Sequence, residues 1–135
     1  MAKVKKLKKS KLQKQREDQN SRLWRNKADY EWRVYVHKAG KCAICGGIEY
    51  LQAHHLIPRE VKHFRHDPSN GILLCVRHHK YYYQLSAHKN SLAFAIWLQK
   101  NMPEKWQWIV DNINADSVEL NYKKACESLK SLNSV

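Results

Sequence analysis

Apolar residues recur at helical spacing in the first third of the chain. One stripe, with a residue at every fourth position, is formed by Trp24, Ala28, Trp32 and Val36. This spacing predicts an amphipathic helix within residues 21–40, which Gly40 closes as a C-terminal cap. Residues 1–20 have almost no aromatic or β-branched side chains to offset the entropy of ordering the backbone. They are predicted to form a basic arm that is disordered, or ordered only on DNA.

The middle of the chain, residues 41–88, consists of short apolar runs broken by glycine and proline. Residues 48–57 and 72–74 are too short for helices and predict two strands joined by a loop. A helix is predicted to follow over residues 75–83. The pattern therefore predicts a small α+β core.

The last third of the chain predicts a helical cap over residues 89–135, which completes a single domain from residue 21. Helices are expected at residues 92–100, 103–113 and 117–132. Pro103 suits a first helical position, and Asp116 with Glu119 gives a capping-box signal. One buried face is predicted from Trp106, Ile109, Val110 and Ile113. Cys126 is predicted to be a core cysteine, on a stripe with Val118, Tyr122 and Leu129.

Charge indicates a polyanionic partner. The formal net charge is +13, and residues 1–27 carry 11 Lys/Arg against 2 acidic residues. Such an excess favours nucleic acid, because neutralised phosphates release condensed counterions. The alternative is an arm that only improves solubility. No stretch has the length of a membrane span or the apolar segment of a signal peptide, so we expect an intracellular protein.

Four residues have the spacing of a structural zinc site. Cys42 and Cys45 form one pair, and Cys75 and His78 repeat the same spacing thirty residues later. Zinc prefers four such ligands in a tetrahedron, and a site filled by protein atoms is structural. Disulfide pairing is the alternative for the cysteines, although a reducing compartment argues against it.

A second set of histidines predicts a catalytic divalent ion. His54 and His55 are adjacent at the end of a predicted strand, so their side chains point to opposite sides and divide two tasks. One imidazole can hold a metal ion while the other activates water for phosphodiester hydrolysis. His79 is the second expected ligand. His63 and His66 are interpreted as ordinary loop residues, with phosphate contact or a third ligand as the alternative.

Together these residues resemble the HNH endonuclease family, the ββα-metal nucleases with a treble-clef-like core. The matching string is Cys42-x2-Cys45, His54-His55-Leu56-Ile57-Pro58, Asn70 and Leu74-Cys75-x2-His78-His79. The resemblance implies that His55 is the general base and that Asn70 fixes the loop that orients it. It assigns the catalytic ion, Mg²⁺, Mn²⁺ or Ni²⁺, to His54 and His79.

The chain departs from the family pattern at three positions. His54 replaces a frequent aspartate, which should favour softer ions. His78 replaces the commoner cysteine, and Tyr83 occupies the position of a further histidine in some relatives. We therefore expect a site with two histidine ligands.

The expected substrate is double-stranded DNA, with nearby basic residues positioned to touch its phosphates. These residues are Arg59, Lys62, Arg65, Arg77 and Lys80. By analogy with phage-encoded relatives, the terminase or other packaging proteins are expected partners, in the cytoplasm of a bacterial or phage-infected cell. The alternatives are a non-catalytic zinc-dependent nucleic-acid-binding module and a nuclease directed at RNA.

Overall fold

A computed structural model describes residues 5–135 and shows a two-stranded sheet flanked by helices. The helices are α1 (Lys11–Glu17), α2 (Arg22–His37), α3 (Ser91–Asn101), α4 (Pro103–Asn112) and α5 (Tyr122–Asn133), and the strands are β1 (Leu51–His55) and β2 (Gly71–Cys75). A 3₁₀ turn (Lys62–Phe64) lies between the two strands, and a π-helical turn (Arg77–Tyr81) follows β2. None of the helices described has the length and apolar content required to span a membrane. The predicted α+β class is confirmed.

The sheet is an antiparallel hairpin with β2 as its buried strand. Pairing runs from Leu51 opposite Cys75 to His55 opposite Gly71. All five β2 residues are buried, and alternate side chains point to opposite faces. Ile72 and Leu74 pack with Phe94 and Leu98 of α3, whereas Leu73 packs with Trp32 and Val36 of α2 and Leu129 of α5. The hairpin therefore separates two small cores.

Gly71 allows α2 to approach the sheet closely. A Cβ atom at this position would lie 2.4 Å from Cγ2 of Val36 and 3.0 Å from the Trp32 ring. Such contacts are too short for any side chain, so only glycine fits here. The close approach places α2 directly against the end of β1, where His55 lies.

The predicted leading helix is confirmed. Ser21 caps α2 by accepting a hydrogen bond from the Trp24 backbone N–H, and the apolar stripe is buried at Ala28, Trp32 and Val36. Gly40 has a φ of +74°, as expected for a residue that turns the chain after a helix.

Two helix predictions are correct only in part, because the helices differ from the predicted bounds. Cys75 ends β2, and only the π-helical turn follows before the chain becomes extended at Tyr82, so no helix spans residues 75–83. The last helix begins at Tyr122 and not at residue 117, because Asn121 caps it by accepting from the Lys124 N–H. Asn20 fixes that start by accepting from the Tyr122 N–H, a contact across 102 positions that no local capping signal reveals.

The predicted buried face of α4 is correct only in part. Trp106 and Ile109 pack against the α3 core, but Val110 and Ile113 are each 52% exposed. Trp108 is also partly covered and packs edge-on against Phe64, with ring centroids 5.5 Å apart, so the covered face is rotated relative to the predicted stripe. Cys126 is fully buried in α5, as predicted.

The arm contains one helix that the sequence analysis missed. Residues 1–4 lie outside the described part of the chain. From Lys11 to Glu17 the chain forms α1, which has no buried residue and starts with a reciprocal capping box between Ser10 and Gln13. The capping box, with Gln at its fourth position, was its available sequence signal. An arm that orders on DNA stays a prediction.

Candidate metal centres and active site

The first metal centre joins a tight turn to the end of β2. The Cys42 N–H donates to the Gly47 carbonyl at 2.8 Å, and the Gly46 N–H donates to the Cys42 carbonyl at 2.9 Å. The Ala43 N–H donates to the Leu73 carbonyl at 2.9 Å, which fixes the turn beside β2. Cys45 therefore comes close to Cys75.

The four predicted zinc ligands meet at one point. Their ligand atoms in Cys42, Cys45, Cys75 and His78 all lie within 4.8 Å of one another. The Cys45 and Cys75 sulfurs are 3.9 Å apart, close to the roughly 3.8 Å edge of a tetrahedron with Zn–S bonds of about 2.3 Å. That separation is far from the roughly 2.05 Å of a disulfide. The cluster fits a tetrahedral zinc ion bound through Nδ1 of His78.

The two buried thiols of this cluster differ in acidity. Burial alone would raise the pKa of Cys42, but backbone hydrogen bonds from Cys45, Cys75 and Ile44 lower it below its usual range. Burial raises the pKa of Cys75, and so does the neighbouring Cys42. Two thiolates whose sulfur atoms lie within 4.8 Å of each other repel, so the cluster favours a cation that neutralises both.

A second centre lies on the other side of the π-helical turn and contains three histidines. The ligand atoms of His54, His79 and His88 lie within 4.8 Å of one another. His54 belongs to β1 and packs edge-on against Phe94, with ring centroids 5.8 Å apart. Nε2 of His79 is 3.1 Å from Nε2 of His88. The predicted pair therefore has a third member, which the sequence analysis missed.

His88 reaches the centre because the chain turns back after residue 81. The Ala87 N–H donates to the His78 carbonyl at 2.9 Å, and the His88 N–H donates to the His79 carbonyl at 3.0 Å. A histidine nine residues after His79 matches no helical spacing, so no sequence pattern indicates that His88 belongs to this centre. His88 is exposed, and the centre is open to solvent at this side.

Gln52 orients the His79 ring. It lies two residues before His54 on β1, and therefore on the same face of the strand. Its side-chain oxygen accepts a hydrogen bond from Nδ1 of His79 at 2.6 Å, which leaves the Nε2 lone pair for an ion. Such a partner is typical of metal-binding histidines.

Two histidines of this centre, His54 and His79, are neutral near pH 7. Burial lowers the pKa of His54 to about 3, with further lowering by the His79 and His88 rings. Burial and His88 lower the pKa of His79 to about 4. Neutral imidazoles are the form that binds metal ions, and a set of three nitrogen donors without carboxylate suits a transition-metal ion.

His55 lies on the opposite face of β1. Its ring stacks on Trp32, with centroids 3.7 Å apart and an angle of 6° between the planes. Its Nε2–H donates to the Arg65 carbonyl at 2.9 Å, so Nδ1 carries the lone pair. Across residues 5–135, no hydrogen bond engages Nδ1. Burial lowers the pKa of His55, which favours this neutral, proton-accepting form.

The buried side chain of Asn70 bridges the loop between the strands by hydrogen bonds to its backbone. It is fully buried, and its side-chain oxygen accepts from the Ile57 N–H at 2.6 Å. Its amide nitrogen donates to the carbonyls of Ile57 and Phe64, at 2.9 and 3.0 Å. These bonds fix the backbone that leads into Arg65, whose carbonyl holds His55.

The other loop histidines take part in neither centre. His66 is buried and donates to Asp29 at 2.7 Å. The His63 ring packs on Phe64, with centroids 4.2 Å apart. Both therefore have packing contacts, in line with their interpretation as loop residues.

The predicted basic residues have different environments. Arg59, Lys62 and Lys80 are exposed, and Arg77 lies 4.1 Å from the centre of the Tyr82 ring. Arg65 forms two hydrogen bonds with Asp29 at 2.8 Å, so this guanidinium is already paired. Arg33, which the sequence analysis missed, lines a cleft of about 330 Å³ with His55 and Arg59.

Comparison with known proteins gives a match for the segment that contains most of these residues. The family model described as HNH endonuclease matches residues 42–85, about a third of the chain. The match includes both predicted ligand sets, His55 and Asn70, but not His88 or α2. Searches among curated proteins and among solved structures gave no match. Residues 42–85 of this chain are therefore similar to the HNH endonuclease family.

Proposed function

We propose that this protein hydrolyses DNA phosphodiester bonds, with His55 as general base and a divalent ion held by His54, His79 and His88. The observation that carries the proposal is the pairing of two sites on consecutive β1 residues. An open cluster of three imidazoles lies on one face, and an imidazole with a fixed Nε2–H and an available Nδ1 lies on the other. Zinc binding alone does not require this arrangement.

His55 accepts the proton of the attacking water. As the water oxygen bonds to phosphorus, its proton moves to Nδ1 of His55, and the bond from phosphorus to the 3′ oxygen breaks. The released 3′ oxygen takes a proton from solvent, which leaves a 3′-hydroxyl and a 5′-phosphate. A bound divalent ion supplies positive charge that stabilises the negative charge developing on the leaving oxygen. Asn70 acts through the loop and is a positioning residue.

The cleft beside His55 offers contacts for the phosphates that flank the cut. Arg33 and Arg59 approach it from α2 and from the loop, and both are exposed. Arginine binds phosphate oxygens in pairs, which positions the backbone without reading its sequence. Double-stranded DNA is the proposed substrate, since the family and the charge of +13 both favour it. A packaging partner is supported by the resemblance alone.

The three-imidazole set makes Mn²⁺ and Ni²⁺ better candidates for the catalytic ion than Mg²⁺. Mg²⁺ prefers oxygen ligands and dehydrates reluctantly, whereas imidazole suits transition metals. In the sulfur-rich cluster, Cys42, Cys45, Cys75 and His78 would fill all four positions of a tetrahedral zinc ion, so an ion held there would be structural.

The proposal is tested by incubating supercoiled plasmid with Mg²⁺, Mn²⁺ or Ni²⁺. We expect nicked or linear product with Mn²⁺ or Ni²⁺, and a rate about 10²- to 10⁴-fold lower for His55→Ala. His37→Ala is the matched control, since His37 is exposed at the end of α2, and it should cut like the wild type. Plasmid that stays supercoiled with every ion would favour the non-catalytic zinc module. A single-stranded RNA substrate in parallel tests the RNA alternative.

A further inference from the structure

We infer that α2 positions the general base, with Asp29 and Trp32 as positioning residues for His55. This inference rests on the proposed function and names how its base is held. Both residues lie outside the segment that matches the family model, so the match does not assign them a role. Two contacts fix the His55 ring, one on its face and one at its edge.

The face of the ring is fixed by Trp32. The two rings are 3.7 Å apart and nearly parallel, and the indole is only 2% exposed. Trp32 is itself held, because its Nε1–H donates to the Asp67 carbonyl at 3.1 Å. The indole therefore sets the plane in which the imidazole lies, and leaves rotation within that plane to be fixed by another contact.

The edge of the ring is fixed by the Arg65 carbonyl, which accepts from Nε2 at 2.9 Å. That carbonyl belongs to the peptide bond between Arg65 and His66. Both of these side chains bind one carboxylate: Arg65 donates twice to Asp29 at 2.8 Å, and His66 donates to its Oδ1 at 2.7 Å. The peptide is thus tethered on both sides to one residue of α2, which restrains the direction of its carbonyl.

The tether is unlike a surface ion pair. The Arg65 and Asp29 side chains are 17% and 28% exposed, and the contact uses both carboxylate oxygens. Burial alone would raise the pKa of Asp29, but hydrogen bonds from His66 and Arg65 hold it far below its usual range. Asp29 is therefore ionised at any working pH. Paired, hydrogen-bonded charges of this kind fix geometry more strongly than exposed pairs.

The first test is the kinetics of Asp29→Asn with the full chain, zinc and Mn²⁺. The amide keeps the shape of the side chain but replaces one acceptor oxygen with a donor group, so the Arg65–His66 peptide loses part of its restraint. We expect kcat to fall about 10- to 100-fold with KM within about twofold, since a misplaced base affects the transition state more than substrate binding. Arg65→Lys keeps the charge but loses the paired contact, and it should show the same split.

Asp111→Asn, the same change at an exposed position of α4, is the control and should leave both constants unchanged. The second test does not depend on activity. In ¹⁵N-histidine spectra, assigned with His55→Ala, the Nε2 proton of His55 should exchange slowly in the wild type and at least about tenfold faster in Asp29→Asn. A folded Asp29→Asn protein with either wild-type kcat or wild-type proton exchange would overturn the inference.

The two proposals fail in different ways. If the wild type cuts no DNA with any ion, the proposed function fails, whatever the spectra of Asp29→Asn show. If the wild type cuts and Asp29→Asn cuts equally fast, the nuclease assignment stands and the role of α2 fails. A loss of stability without a change in kcat would show that Asp29 only holds α2 on the loop, and would also overturn the inference.

Discussion

Replacing Asn70 by alanine should destabilise the fold more than any other change of one amide side chain. Asn70 is fully buried and bonds three backbone groups of the loop between the strands. Alanine removes all three bonds: the Ile57 N–H and carbonyl lose their partner, and the Phe64 carbonyl keeps its bond from the Asp67 N–H at 3.1 Å. At about 1 to 1.5 kcal/mol for each lost hydrogen bond, the free energy of unfolding should fall by about 3 to 5 kcal/mol. That is a large fraction of the roughly 5 to 15 kcal/mol of a typical domain.

The measurement is urea unfolding followed by tryptophan fluorescence, at one fixed Zn²⁺ concentration for all variants. Asn101→Ala is the control, because its side chain is exposed and donates a single hydrogen bond, to the Trp97 carbonyl at 3.0 Å. We expect the control to lose less than about 0.5 kcal/mol. A loss below about 1 kcal/mol for Asn70→Ala would refute the reasoning, since it would mean that water or other groups replace the three bonds.

Three further predictions concern the metal centres and the acidic tether. His88→Ala should lower Ni²⁺ affinity by at least about tenfold in calorimetric titration of zinc-loaded protein. Even residues that only hydrogen-bond to a metal ligand contribute that much to affinity. Unchanged affinity would exclude His88 as a ligand. Cys75→Ser should abolish stoichiometric zinc and lower the melting midpoint by more than about 5 °C; one retained zinc per chain would contradict the structural site. The pKa of Asp29 is lower in the folded protein than the 3.8 expected for the unfolded chain. The ionised carboxylate therefore stabilises the folded protein fully above pH 3.8, and this contribution declines as the pH falls below 3.8. The stability difference between wild type and Asp29→Asn should therefore shrink from about pH 6 to about pH 3, and a constant difference would count against the ion pair.

The ligand sets could be predicted as far as spacing alone determines them. Cys42, Cys45, Cys75 and His78 form two pairs at equal spacing, and the turn and the strand end bring the pairs together. His88 could not be predicted, because the reversal of the chain after the π-helical turn has no periodic signal. The expectation of two ligands from His54 and His79 therefore counted too few histidines near the second centre.

The contacts of α2 with the site were also beyond the sequence. The stripe that contains Trp32 predicts a buried face but not which side chain that face meets. Asp29 lies beside the stripe and carries an ordinary surface charge in the sequence, while its partner Arg65 was expected to touch DNA. Only the close approach at Gly71 brings the helix to the loop. Long-range pairing of this kind has no local pattern, so sequence reasoning missed it.

The small size of the sheet explains why residues 42–85, which match the family model, depend on the helices that flank them. A hairpin of two five-residue strands is marginally stable by itself, and here it separates two cores whose other walls are α2 with α5 and α3. The Cys42, Cys45, Cys75 and His78 cluster, which could hold a metal ion, lies at one end of the hairpin, and Asn70 bridges the loop at the other. The His55 ring, however, lies on the face that α2 covers, so the helix that completes the core also contacts the proposed base. Stability and base orientation are therefore coupled through the same contacts, and only measurements that separate kcat from unfolding can distinguish them.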